Sequence, residues 1–171
     1  MKEITENKIN ELKEFISAHE YFYIVGHKEP DGDCIDSYFE ISRILKKLNK
    51  ENYNVGLIEV HLYRPFSTKY LLNVLPKTTK KIAVLDRTKE HGSVGEPLYL
   101  DVSLALKDKD IKIIGGRYGL SSKNTPPSSI KAVYDMLKSG AKHNFTIGID
   151  DDLTYLSLKE DDFKIELHDE F

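Results

Sequence analysis

The residues of this sequence best suited to chemistry stand in one short run, His27-Lys28-Glu29-Pro30-Asp31-Gly32-Asp33, which holds one imidazole and two well-spaced aspartates. It follows Tyr21-Phe22-Tyr23-Ile24-Val25, five apolar or aromatic residues that read as a buried strand. Pro30 and Gly32 forbid regular structure, so the run is a loop at the C-terminal end of that strand. Open α/β sheets bind their ligands at that end. A histidine with two aspartates suits a divalent hydrolytic metal such as Mn²⁺, which would polarise a phosphate and lower the pKa of bound water. An Asp-Gly turn of purely structural purpose has the same appearance, and both readings stand. Three ligands from one loop, His27, Asp31 and Asp33, can hold at most one weakly bound ion, whereas a two-metal hydrolase needs ions about 3.5–4 Å apart.

Arg64, Arg87 and Arg117 each follow or closely trail a strand, so they could gather round an anionic ligand at the same sheet edge. The plainer expectation is that they pair with Asp86, Glu90 or Asp101, or touch a neighbouring domain. Gly115-Gly116-Arg117-Tyr118-Gly119 reads as a loop, but it departs from the dinucleotide pattern G-x-G-x-x-G. His61, His143 and His168 are scattered without an i, i+4 partner and read as satisfied or exposed histidines. Spacing assembles no Ser-His-Asp or Cys-His arrangement. Ionised carboxylates beside Cys34 would raise its thiol pKa, which disfavours a nucleophile. No catalytic and no cofactor-binding residue is assigned.

These residues need elements to place them. Ile9, Leu12, Phe15 and Ile16 give an amphipathic helix over residues 5–18, and Ile35, Phe39, Ile41, Leu45 and Leu48 give another after the loop. Val55 to Val60 is a strand, and Ser67 caps a helix carrying Tyr70, Leu71 and Val74 that Pro76 stops. Lys81 to Leu85 is the next strand, and Pro97 begins a helix bearing Leu98, Val102 and Leu106. Asp110 to Ile114 is a strand, and Thr125-Pro126-Pro127 opens a helix with Ile130, Val133, Tyr134 and Leu137 on one face. Phe145 to Ile149 is a last strand, with Tyr155 to Leu158 as a short edge strand. Strands alternating with helices in this way predict a doubly wound, mainly parallel sheet in a three-layer αβα arrangement.

The 171 residues, 40 % hydrophobic, suffice for one ordinary core. A net charge of -3 lacks the basic excess of a nucleic-acid binder, and no stretch approaches the roughly 18–20 apolar residues of a membrane span. One cysteine excludes an internal disulfide and cannot hold an iron–sulfur cluster, and no signal peptide is visible; a cytoplasmic location is expected. Residues 150–171 carry nine acids against Lys159 and Lys164 and read as a solvated, partly frayed tail.

The run Gly26 to Asp33 resembles the first motif of DHH-family phosphoesterases, close to G-H-x-x-P-D-G-D-A-I-G-S after a hydrophobic strand. Gly26, His27, Pro30, Asp31, Gly32, Asp33, Ile35 and Ser37 match, while Cys34 and Asp36 stand where small residues are usual. The resemblance implies His27, Asp31 and Asp33 as metal ligands and covers residues 10–48. The family's later Asp-His-His triplet and its Gly-rich substrate domain have no counterpart.

A second resemblance covers residues 50–166. Val55 to Ser67, Val84-Leu85-Asp86-Arg87-Thr88-Lys89-Glu90, Gly95 to Val102, Gly115 to Lys123 and Phe145 to Ile149 are similar, in order and spacing, to the middle domain of pyruvate:ferredoxin (flavodoxin) oxidoreductase. His91 stands where that family commonly has proline. The resemblance implies a fold like the transketolase C-terminal domain, a packing and positioning role, and thiamine diphosphate, coenzyme A and iron–sulfur clusters held by other domains. The partners it implies are those other domains or subunits. The sequence thus reads as a chimera: residues 1–50 a phosphoesterase-like helix and strand-loop-helix, 51–166 an oxidoreductase fragment inactive alone, and 167–171 an acidic tail, with Asn49 to Asn54 a polar joint. The rival reading is a metal- or phosphate-binding module that keeps the first loop in use. If the two parts share one fold, Tyr21 to Val25 must lie in the same sheet as Val55 to Val60 and Lys81 to Leu85.

Overall fold

The protein is described from a computed structural model that covers residues 21–26, 32–60, 63–140, 142–150 and 153–165, with side chains from residue 41 onward. Its elements are β1 (Tyr21–Gly26), α1 (Gly32–Lys50), β2 (Val55–Val60), α2 (Thr68–Val74), β3 (Lys81–Asp86), α3 (Pro97–Ala105), β4 (Lys112–Arg117), α4 (Pro127–Ser139) and β5 (Phe145–Thr146). The expected helix over residues 5–18 and the acidic tail 167–171 lie outside the described residues.

The strands form one sheet in the order β2-β1-β3-β4-β5, with every neighbouring pair parallel. Tyr21 stands opposite Val55 on one side and Lys81 on the other, so β1 is an interior strand flanked by both expected neighbours. Alternation along β3 then builds two cores. Ala83 and Leu85 face one side, where Ile44, Leu45 and Leu48 of α1 meet Ile130, Val133 and Leu137 of α4. Ile82 and Val84 face the other, against Leu71 of α2, Leu98 and Val102 of α3 and the following Leu106. Each such side chain contributes about 1.5–3 kcal/mol by leaving water. The result is the three-layer α/β arrangement expected from the sequence. Among the described residues, no helix is long and apolar enough to cross a membrane.

Asn49 to Asn54 is a tight connection and not a loose joint. The Asn49 side-chain amide donates to the Val55 carbonyl at 2.9 Å and its oxygen accepts from Val55 N–H at 2.7 Å. Asn52 and Asn54 take the left-handed conformations, φ 61° and 54°, that asparagine tolerates.

Three expectations about the second half need correction. The Gly115-Gly116-Arg117 stretch is not a loop: β4 runs through it, in register with Val84, Leu85 and Asp86. The glycines serve the strand because aromatic rings fill the space beside them. A Cβ at Gly116 would lie 2.2 Å from the Phe145 ring, and one at Gly115 would lie 3.0 Å from the Tyr99 ring. The last strand is only Phe145–Thr146, and Tyr155 to Leu158 contributes a single parallel bridge, Thr146 to Ser157. Gly148 at φ 74° and Tyr155 at φ 57° turn the chain away from longer pairing. The acidic C-terminal run, as far as residue 165, is not a frayed tail. Leu158, Phe163 and Ile165 pack on the first core. Lys131 donates to Asp135 and Asp161 at 2.7 and 2.8 Å, the Ser128 and Ser129 hydroxyls donate to Glu160, and Lys47 donates to the Lys164 carbonyl at 2.8 Å. The acids Glu160 and Asp161 answer Lys131 and two hydroxyls on α4, which composition alone does not reveal.

Helix starts follow the expected chemistry with one exception. Ser67 Oγ accepts from Tyr70 N–H, as read from the sequence, and Pro97 opens α3. The residue before Pro97, however, is Glu96, whose side chain makes no cap bond. The acceptor comes from the sheet: Asp86, at the end of β3, takes the Leu98 N–H on Oδ1 at 2.9 Å and the Tyr99 N–H on Oδ2 at 3.2 Å. Burial raises the Asp86 pKa, and these two N–H donors, which lower it, offset only part of that rise.

Because the folded pKa of Asp86 exceeds the unfolded one, the folded state binds its proton more tightly, and this contribution to stability fades as pH rises. Asp86→Asn abolishes the titration and leaves one N–H without its acceptor, a loss of about 1–3 kcal/mol. In urea titrations across acidic pH, the stability of the wild type relative to Asp86→Asn is expected to fall as pH rises from the ordinary aspartate value of 3.8 towards the raised one. A difference that grows with pH instead would mean that the N–H donors outweigh burial.

Candidate functional site

In a parallel sheet of order β2-β1-β3-β4-β5 the chain reverses its direction of winding between β1 and β3, and ligands of such folds sit at that crevice, beyond the carboxyl ends of the strands. β1 ends there at Gly26, and His27, Lys28, Glu29, Pro30 and Asp31, expected as a loop, lie outside the described residues. Gly32 and Asp33 begin α1, with the Asp33 and Cys34 side chains also outside the description. His61 and His168 are likewise outside it. Among the described residues, no group of three or more His, Cys, Asp or Glu side chains is placed to hold a metal ion.

What the structure does show at the carboxyl edge is a network of charges that satisfy one another. Glu96 is 2 % exposed and Arg117 is 8 % exposed, both in a region where an unpaired charge would be costly. Arg117 Nε donates to Glu96 Oε1 at 2.5 Å and Arg117 Nη1 donates to the Asn144 carbonyl at 3.0 Å. The second Glu96 oxygen accepts from Glu90 N–H at 2.7 Å. Asp86 stands opposite Arg117 in the sheet register and holds the first turn of α3. Together these bonds tie β3, β4, the 90–96 loop, α3 and the Asn144 turn.

Aromatic groups close the same edge. His143 Nδ1 accepts from Gly115 N–H at 3.1 Å, and its ring lies 4.7 Å from that of Tyr99. His143 is therefore a satisfied histidine, as its isolated position in the sequence suggested. Accepting at Nδ1 assigns the neutral ring's proton to Nε2.

The three arginines do not act as one anion cluster. Arg64 is paired with Asp101, the partner expected for one of the three, and its guanidinium lies over the Tyr63 ring. Burial, and then the hydrogen bond to Asp101, push the Tyr63 phenol up to about 12, so it stays protonated at neutral pH. Arg117 is committed to Glu96, a residue that the sequence reading did not name. A signal for it existed: glutamate before an N1 proline is a poor cap, which leaves both that carboxylate and the helix N–H groups in need of other partners. Arg87 is exposed, and its side chain rests over Gly119, whose added Cβ would come 3.1 Å from Arg87 Nε. Two arginines committed to carboxylates and one exposed make a poor anion site.

Residues 37–130, more than half of the chain, match the family model described as pyruvate:ferredoxin oxidoreductase core domain II. The pyruvate:ferredoxin oxidoreductase of Moorella thermoacetica is 52 % identical over 122 residues, covering 70 % of this chain and 10 % of its own length. The pyruvate-flavodoxin oxidoreductase of Trichormus variabilis is 42 % identical over 176 residues, 96 % of this chain and 15 % of its own. The mitochondrial pyruvate dehydrogenase [NADP(+)] of Euglena gracilis is 40 % identical over 169 residues, 92 % of this chain and 9 % of its own. The chain therefore spans only about a tenth to a seventh of these relatives. Alignments covering 96 % and 92 % of the chain necessarily run through β1 and α1, the segment expected to come from a phosphoesterase. The sheet order, the two cores and the match from α1 to α4 place this chain in the pyruvate:ferredoxin oxidoreductase core domain II family, whose fold is like that of the transketolase C-terminal domain.

Proposed function

We propose that this chain serves as a positioning domain of a 2-oxoacid oxidoreductase and is inactive alone. The observation that carries the reading is the carboxyl edge of the sheet: Glu96, Arg117 and Asp86, the charged groups best placed there to meet a ligand, are spent on one another and on backbone groups. Such an edge holds its own loops in place. A single cysteine cannot supply the four thiolates an iron–sulfur cluster typically takes, so a cluster does not fit this chain. In this reading thiamine diphosphate and coenzyme A, with the clusters, belong to other domains, and those domains are the chain's partners. A net charge of -3 gives no support to a nucleic-acid partner, and a single cysteine suits a reducing cytoplasm. Purified chain supplied with pyruvate, thiamine diphosphate, coenzyme A and ferredoxin is expected to give no ferredoxin reduction above a blank lacking protein. Turnover that scales with the amount of chain overturns the proposal.

A second reading keeps the phosphoesterase-like loop in use. It is favoured by one observation, that β1 is an interior strand beside the switch point and ends at Gly26 on the carboxyl edge of the sheet. His27, Asp31 and Asp33 would then hold a single Mn²⁺ weakly. Calorimetry with MnCl₂ is expected to give a dissociation constant in the roughly micromolar-to-millimolar range, by analogy with other oxygen-rich sites. Binding is expected to disappear in the double variant Asp31→Ala, Asp33→Ala. Affinity that survives the double variant rules out this ligand set.

A further inference from the structure

The two outer faces of the molecule differ. On α1 and α4 the described outward residues are polar, and the 153–165 segment lies across them through Leu158, Phe163 and Ile165. On α2 and α3 the inner faces are buried, through Leu71, Leu98 and Val102, yet large apolar side chains also point outward, on α2 beside the exposed Thr68, Lys69 and Asn73. Tyr70 and Val74 of α2 are 72 % and 50 % exposed, and Leu100 and Leu104 of α3 are 39 % and 69 % exposed. Each is an i, i+4 pair, so each pair forms a continuous outward strip along its helix. Among the described residues, exposed large hydrophobic side chains on helices occur only on α2 and α3.

The sequence stripe Tyr70, Leu71, Val74 suggested one buried face for α2, and the structure buries only Leu71. Large apolar side chains left outward on a helix whose inner face is already buried mark a surface that another body covers. Between the helices lies a groove of about 540 Å³, with Phe66 and Leu104 in its wall and the Arg64–Asp101 pair, Lys107 and Asp108 among its polar lining. An apolar centre with a charged rim is the anatomy of a docking surface.

We infer that the outer face of α2 and α3, centred on Tyr70, Val74, Leu100 and Leu104, is the surface through which this domain packs against another domain of the oxidoreductase. This rests on the reading of the chain as a positioning domain, and it names the face that does the positioning. The occupant follows from length: the matched region is 15 % of the Trichormus relative, so most of that polypeptide lies outside it and is available to cover this face. The partner surface is apolar, with charges at its margin that complement the exposed Arg64 and Asp108.

The test compares amide hydrogen exchange in the isolated chain with exchange in the corresponding segment of the intact Trichormus variabilis enzyme, which aligns with 96 % of this chain. Amides of α2 and α3 are expected to exchange more slowly in the enzyme by about tenfold or more, with those of α4 changed far less. Protection gained on α1 and α4 in place of α2 and α3 would overturn the inference and leave the positioning role intact. No gain on any helix would remove both. Sedimentation of the isolated chain, expected to be monomeric, addresses a second copy as occupant. Dimerisation abolished by Leu104→Asp, a substitution at a largely exposed position, would assign the face to self-association and overturn the inference.

Discussion

The buried ion pair between Glu96 and Arg117 is the constraint around which the second half of the fold is arranged. Arg117 ends β4 and Glu96 precedes α3, so the pair fixes where the helix begins relative to the strand on which it packs. With both partners nearly solvent-free, neither charge can be left alone, and the Asn144 carbonyl and Glu90 N–H complete their bonding, while Asp86 at the end of β3 holds the first turn of α3. Buried pairs are weak sources of net stability, because desolvation opposes the attraction, but removing one partner is severe. The pair therefore acts less as glue than as a geometric lock.

That lock bears on function. Doubly wound sheets place their chemistry at the carboxyl edge, and here the edge from β3 to β5 is closed by internal bonds and by the Tyr99, His143 and Phe145 rings against Gly115 and Gly116. Among the described residues, the β3–β5 part of that edge is taken up by bonds within the chain. Its outward-looking features lie instead on the helical layers. One layer is covered by the chain's own C-terminal segment, and the other carries exposed apolar strips. The relatives that the chain matches are much longer than the matched region.

Much of this was legible in the sequence. The strand and helix order, the Ser67 cap, the Pro97 start and the buried Ile130, Val133, Tyr134, Leu137 face all follow from local chemistry and from periods of 2 and 3.6 residues. Gly115 and Gly116 misled, because glycine pairs read as turns unless the rings that occupy their missing side-chain space are known. The acidic run after Asp150 misled for a similar reason: its partners, Lys131, Ser128 and Ser129, lie about thirty residues away on α4. The Glu96–Arg117 and Asp86–Leu98 contacts are separated by 21 and 12 residues, and no period or propensity reports such pairings. Long-range polar satisfaction is the level at which the sequence reading ran out.

A double-mutant cycle on Glu96 and Arg117 tests the account most directly. Glu96→Gln and Arg117→Met are each expected to lower the unfolding free energy by about 3–5 kcal/mol, since each strands a buried group. The double variant should lose much less than the sum, with a coupling energy of up to about 3 kcal/mol. Two single losses that simply add would show that the residues act independently, and would contradict a fold organised around their pairing.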